Sequence, residues 1–218
     1  MINDEIVQGS PEWFAARLGK LTSSRINDAT AKIKSGEAAS RRTYRDQLLS
    51  ERRTGIGGGS DLSAIKHVKW GTDCEPFARQ AIEVELGCLV KQVGFVDHPT
   101  IPMAGCSPDG FIGTDHIIEI KCPASSTHIG YLKNPGMIPN DYKKQVLWIL
   151  ACTQRRSAIF CSFDPRWGLK DQMLLIHYEP HPSEIKELEE EASKFLAEVA
   201  ADELWLLRRA MTHIEIRV

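Results

Sequence analysis

The stretch Gly105-Cys106-Ser107-Pro108-Asp109-Gly110, followed by Ile118-Glu119-Ile120-Lys121-Cys122-Pro123, constrains this chain more than any other. Between the two blocks lie Phe111-Ile112, the turn-like Gly113-Thr114-Asp115, and His116-Ile117. That order reads as a β-hairpin. Residues two apart on a strand share a face, so Glu119 and Lys121 project together while Ile118 and Ile120 face the other way. Asp109 arrives from the neighbouring strand. The result is a compact site of two carboxylates and one ammonium. Carboxylate oxygens suit a hard cation such as Mg²⁺. A lysine beside them can orient or deprotonate a water. Taken singly, Ser-Pro-Asp-Gly is an ordinary turn and Glu-x-Lys an ordinary strand pair. Together they resemble the PD-(D/E)xK nuclease pattern.

The 218 residues suffice for one large domain with a sizeable core. No apolar run approaches membrane-span length, and the acidic Met1-Ile2-Asn3-Asp4-Glu5 lacks the order of a signal peptide. The expected compartment is the cytosol. Cys74, Cys88, Cys106, Cys122, Cys152 and Cys161 show neither Cys-x-x-Cys nor zinc-finger spacing, which argues against zinc and iron–sulfur sites. Net charge is only −2, but its distribution is uneven. Residues 17–53 carry ten basic against four acidic side chains, and residues 184–203 two basic against eight acidic. A basic face opposite an acidic helix fits a polyanion bound on one side, although charge runs are commonly just solvated faces.

Along the chain, Ser10 and Pro11 open a short helix bearing Trp13, Phe14 and Leu18, and Gly19 ends it. The hydroxyl-rich Thr22-Ser23-Ser24 reads as a cap for the next helix. A basic helix is expected over 40–53. The glycine-rich 54–63 lacks a following Gly-Lys-Ser/Thr and reads as a mobile loop. The next helix is expected to open at Trp70-Gly71 and stop at Gly87. Pro76 fits only a first turn, which puts Glu75 near the helix N-terminus. Strands are expected near 89–97, 101–106, 109–113, 116–121, 156–163 and 171–179. Helices are expected near 125–133, from Pro139-Asn140 through Leu150, and from a Ser183 cap onward, the last with the apolar stripe Ile185, Leu188, Ala192, Phe195, Leu196 and Val199. These imply an α/β fold, a restriction-endonuclease-like central mixed β-sheet flanked by helices, as a single domain over 1–218.

Five blocks, in order, resemble the phage lambda exonuclease family, the YqaJ-like viral recombinases. They are Trp13-x-x-x-Arg17-Leu18-Gly19 with Thr22-Ser23-Ser24; Trp70-Gly71-x-x-x-Glu75; Ser107-Pro108-Asp109-Gly110; Glu119-Ile120-Lys121-Cys122-Pro123; and Tyr142-x-x-Gln145-Val146. Residues 25–69 match poorly, so the part that splits the duplex does not carry over. The resemblance implies a Mg²⁺-dependent 5′-to-3′ exonuclease on double-stranded DNA ends. It would release mononucleotides and leave 3′ single strands for a strand-annealing recombination partner. Asp109, Glu119, the Ile120 carbonyl and Glu75 would serve two Mg²⁺ ions, with Mn²⁺ as a substitute, and Lys121 would position the attacking water. Arg17, Ser24, Ser107 and Gln145 match positions that hold the terminal 5′ phosphate. Family members form closed homotrimers, which implies a ring with the basic segment inside and the acidic helix outside. A phage or prophage protein acting in the cytoplasm of a bacterial host would follow. The alternatives are an internally cutting cousin of the superfamily and a silent DNA-end-binding protein. Linear against closed circular duplex, with and without Mg²⁺, separates the three.

Overall fold

The computed structural model describes residues 2–3, 6–58 and 66–215. Two four-stranded mixed sheets form its centre. The first contains β1 (Ile2–Asn3), β2 (Leu21–Thr22), β3 (Phe95–Asp97) and β4 (Ala104–Cys106), in the order β1-β3-β4-β2. The second contains β5 (Gly110–Ile112), β6 (His116–Lys121), β7 (Ser157–Phe163) and β8 (Met173–Tyr178), in sequence order. The mixed-sheet expectation holds, with one refinement: the hydrogen-bonded ladder breaks at Ser107-Pro108-Asp109. The bridge between Lys91 and Phe111 extends the second sheet's edge.

The break has a physical cause. Pro108 cannot donate to a ladder. Glycines flank it on both sides where backbone approaches closely. A Cβ at Gly105 would stand 2.4 Å from the Phe95 ring and 2.6 Å from the Val96 carbonyl. One at Gly110 would stand 2.3 Å from Val90.

Helices α1 (Pro11–Arg17), α2 (Ile26–Ala29), α3 (Ala39–Thr54), α4 (Lys66–Leu86), α5 (Ser125–Leu132), α6 (Asn140–Thr153) and α7 (Pro182–Glu215) surround the sheets. Ser10 caps α1 as expected, accepting from the Trp13 N–H at 3.2 Å. The main core joins Leu21, Tyr44, Trp148, Phe160 and Phe195, drawing on both sheets and on α3, α6 and α7. A smaller core under the second sheet joins Ile82 of α4 to Ile118, Ile120 and Phe163.

Several expectations need correction. Helix α4 begins at Lys66, so Pro76 lies in its interior and Glu75 in its middle. Ala78 and Ile82, two and six residues beyond the proline, are fully buried and tie the helix to the smaller core. Thr22 makes no side-chain cap, and Leu21–Thr22 instead pairs parallel to β4. Ser183 lies inside α7, where its N–H donates to the His181 ring at 3.3 Å. The strands expected at 89–97 and 101–106 are shorter than read. Residues 59–63 of the glycine-rich stretch lie outside the described residues, and α3 ends at Gly55 in the left-handed region (φ 69°).

The charge asymmetry also resolves differently. Arg41 and Arg45 of α3 both pair with Glu198 of α7, at 2.6 and 3.0 Å. Arg45 also pairs with Asp202 at 3.0 Å, and Arg52 approaches Glu203 at 3.7 Å. The basic and acidic segments face each other rather than opposite sides of the molecule. Three of the ten basic side chains are therefore spent on packing α3 against α7.

Candidate active site

The hairpin forms in the expected register, with Gly110 opposite Ile118 and Ile112 opposite His116. Gly113 takes φ 53° at the turn. Ile118 and Ile120 are buried in the smaller core, so Glu119 and Lys121 face the other side of β6. Asp109 closes the site from the inter-sheet link. Its Oδ2 accepts from the Ile120 N–H at 2.6 Å.

Glu119 is 1% exposed. Its Oε1 accepts from Lys121 Nζ at 2.5 Å and from Gln145 Nε2 at 2.6 Å. Its Oε2 is buried with no partner. An orphaned carboxylate oxygen is costly unless something outside the protein satisfies it. Glu75 is held by Arg79 Nη2 at 2.5 Å. Glu75, Asp109, Ile120 and Lys121 line a cavity of about 1050 Å³, whose wall also includes Tyr142 and Arg166, while Glu119 is buried next to Asp109 and Lys121 rather than in the wall itself.

The electrostatics are unbalanced. Burial, reinforced by Asp109, raises the Glu119 pKa to about 8 despite Lys121. Burial also raises Asp109. Glu75 is raised by burial and then by Asp109. Burial works against the charge on Lys121, but Glu119 and Asp109 outweigh it and hold the ammonium protonated. Three carboxyls, Glu75, Asp109 and Glu119, thus face two cations, Lys121 and Arg79, and the raised pKa values show that ionising the full set is costly without further positive charge. A divalent cation would supply that charge, and Glu119 Oε2 has no protein partner to give up for it. Among the described residues no three His, Cys, Asp or Glu side chains form a ready cage. Asp109 and Glu119 could offer carboxylate oxygens to such a cation, the hard donors that Mg²⁺ takes.

The candidate phosphate residues divide. Arg17 Nη1 donates to Ser107 Oγ at 2.9 Å, and the Trp13 indole N–H donates to the same oxygen at 2.9 Å. The guanidinium also stacks on Trp13 at 4.1 Å. Ser24 shares a separate cavity of about 490 Å³ with Arg17 and Arg25. Gln145 instead serves Glu119, which links it to the carboxylate site.

A profile of the YqaJ-like viral recombinase domain matches residues 12–156, which include Arg17, Ser24, Glu75, Ser107, Asp109, Glu119, Lys121 and Gln145. The chain belongs to that family. Its structure is similar to the alkaline exonuclease LHK-Exo of Laribacter hongkongensis, at 39% identity and TM-score 0.84, over 93% of this chain and 99% of that one. A second structure of LHK-Exo, in complex with dAMP, matches at 40% identity and TM-score 0.85 over the same shares. A phage-related exonuclease from Haemophilus somnus 129PT shares the fold at 12% identity and TM-score 0.60, over 84% of this chain and 96% of that one. A search of curated proteins gave no significant match. Among the described residues no helix is long and apolar enough to cross a membrane.

Two contributors to this site are not singled out in the sequence. Arg79 lies one turn beyond Glu75, a spacing that flags it. Gln8 donates to the Pro108 carbonyl at 2.9 Å and steadies the link, a long-range contact that no local pattern announces. Tyr142, from the block read with Gln145, lies under Lys121 Nζ at 4.9 Å.

Proposed function

We propose that this protein, with residues 1–218 as one nuclease domain, is a Mg²⁺-dependent 5′-to-3′ exonuclease acting on double-stranded DNA ends. The observation that carries the reading is the buried Glu119, one oxygen orphaned, beside Asp109 and Lys121. Family membership and the likeness to an alkaline exonuclease support it. Asp109, Glu119 and the Ile120 carbonyl would hold one cation, and Glu75 would serve the second. Two cations there, with Mn²⁺ as a substitute for Mg²⁺, would stabilise the entering and leaving oxygens of the phosphodiester.

The chain's own groups do the rest. Lys121 is held protonated, so it orients the attacking water by donating to it rather than by taking its proton. Gln145 and Lys121 fix the Glu119 carboxylate from two directions. Arg17, Ser24 and Ser107 are suited to the terminal 5′ phosphate, since a guanidinium fork and hydroxyls donate and do not repel it. Gln145, also matched to that phosphate by family pattern, instead donates to Glu119. Mononucleotide release would leave 3′ single strands for a strand-annealing recombination protein, in the cytoplasm of a host carrying the phage or prophage.

The deciding experiment is a two-by-two comparison of wild type and Arg17→Ala on 5′-phosphorylated and 5′-hydroxyl linear duplexes. A charge-assisted hydrogen bond is worth roughly 1.5–3 kcal/mol, so the variant should slow phosphorylated ends by about one to two orders of magnitude. Hydroxyl ends should change far less. Equal slowing of both ends would make Arg17 a general DNA contact. Closed circular duplex should resist cleavage, and removal of Mg²⁺ should stop it. Sedimentation at working concentration should give the mass of a homotrimer ring, and the mass of one chain would remove the ring.

A further inference from the structure

Arg166 follows β7 and plays no part in the site described above, yet it forms part of the wall of the catalytic cavity. Its side chain is 51% exposed, although it is held more firmly than an exposed arginine usually is. Asp164, fully buried, accepts from Arg166 Nε at 2.7 Å and Nη2 at 2.8 Å. The Arg166 backbone N–H donates to Asp164 Oδ1 at 3.1 Å. Ser125 Oγ donates to Asp164 Oδ2 at 2.6 Å and anchors the carboxylate to α5. The guanidinium lies over the Trp70 ring of α4, 4.5 Å from its centroid. Three elements thus converge to fix one half-exposed cation.

A structural clasp alone does not need this exposure. Among the described residues Nη1 of Arg166 has no protein acceptor. The same wall carries the exposed Lys69 and the Thr127 hydroxyl. The Trp70 indole N–H is buried beside it without an acceptor. Asp73 also lines the wall, so the balance there favours donors without being wholly basic. The bidentate hold keeps Asp164 ionised: burial opposes its charge, but the Arg166 and Ser125 bonds win and bring its pKa to about 2. The clamp therefore persists across the working pH range. An arginine preorganised in this way loses little side-chain freedom on meeting an anion.

We infer that Arg166, stacked on Trp70 and clamped by Asp164, binds a backbone phosphate of the DNA strand within the catalytic cavity, apart from the cavity that Arg17 lines. This rests on the nuclease reading and adds a substrate-binding residue to it.

The test uses the full chain with a chelator present, so that no hydrolysis occurs, and a short 5′-phosphorylated linear duplex. Affinity is followed by fluorescence anisotropy between about 50 and 200 mM salt. Arg166→Gln should bind about tenfold more weakly at the low end. Its plot of log affinity against log salt should be shallower than wild type by about 0.7–0.9, the loss of one phosphate contact. An unchanged slope with wild-type binding intact overturns the inference and leaves the nuclease reading standing. Failure of the wild type to bind DNA at all overturns that reading, and this one with it. Should the glutamine variant not fold, Arg166→Lys decides, because it keeps the charge and loses the fork. Weaker binding at an unchanged slope supports the inference, and undiminished affinity overturns it.

Discussion

The molecule treats charge in two opposite ways. Between α3 and α7, Arg41 and Arg45 are matched by Glu198 and Asp202 across the helix interface. Around the candidate site, Glu75, Asp109 and Glu119 crowd together with Lys121 and Arg79 as the nearby cations. In the first arrangement each charge has a protein counter-charge, although Arg45 Nε and Arg52 Nη2 lack a hydrogen-bond acceptor. In the second the carboxyls outnumber the cations. A run of charge in the sequence is therefore a poor guide to function, whereas an imbalance in a buried site is a good one.

The largest expected effect breaks the incomplete side. Glu119→Gln, Asp109→Asn and Lys121→Ala should each lower duplex hydrolysis by at least about a thousandfold, since each removes a group at the reacting centre. A rate assay with Mg²⁺ checks this, and near-normal turnover would remove that residue from the mechanism.

Next comes pH. The Glu119 pKa is raised from 4.5 to about 8 in the folded metal-free protein. A raised carboxyl contributes stability below its unfolded value and loses it as pH rises through its folded value. Metal-free wild type should therefore melt at falling temperature from pH 5 towards pH 9. Glu119→Gln should flatten that fall and melt at least about 3 °C higher at pH 9. Mg²⁺ should stabilise the wild type more at alkaline than at acidic pH, because the cation and the proton compete. A pH-independent melting temperature for wild type would contradict the burial argument.

The smallest effect is on the balanced side. Glu198 is 43% exposed, so screening discounts its pairs, and Glu198→Ala should cost about 1 kcal/mol, or roughly 2–4 °C. Cleavage of linear duplex should persist, while nonspecific DNA binding at low salt should increase as Arg41 and Arg45 are freed. Loss of cleavage with the fold intact would show that α3 and α7 belong to the working site after all.

What was legible in the sequence was local. The hairpin from Gly105 to Lys121 could be read because its turn, its alternation and its two carboxylates lie within a few residues of one another. The α7 stripe was legible for the same reason, since one face of one helix carries it. Pro76 points to a helix opening at Trp70-Gly71 because proline favours a first turn, while the helix already runs ten residues before it. Gln145 was grouped with Arg17 by family pattern, but its amide reaches Glu119, 26 residues away. The α3–α7 pairing spans more than 150 residues, and no local pattern predicts which of two charge runs will face the other.

Ser107 and Asp109 are separated by one residue, at the seam where one sheet's ladder ends and the next begins. Ser107 sits with Arg17, and Asp109 sits with Glu119 and Lys121. The seam is therefore a ruler. Pro108 is fixed in φ, its carbonyl is tied to Gln8, and the flanking glycines leave no room to slide. On the proposed function, the span from the held end of a strand to the bond that breaks is set by this short, stiff piece of backbone. Step size would then be a property of covalent geometry rather than of binding strength, constant from one cycle to the next whatever base is being removed.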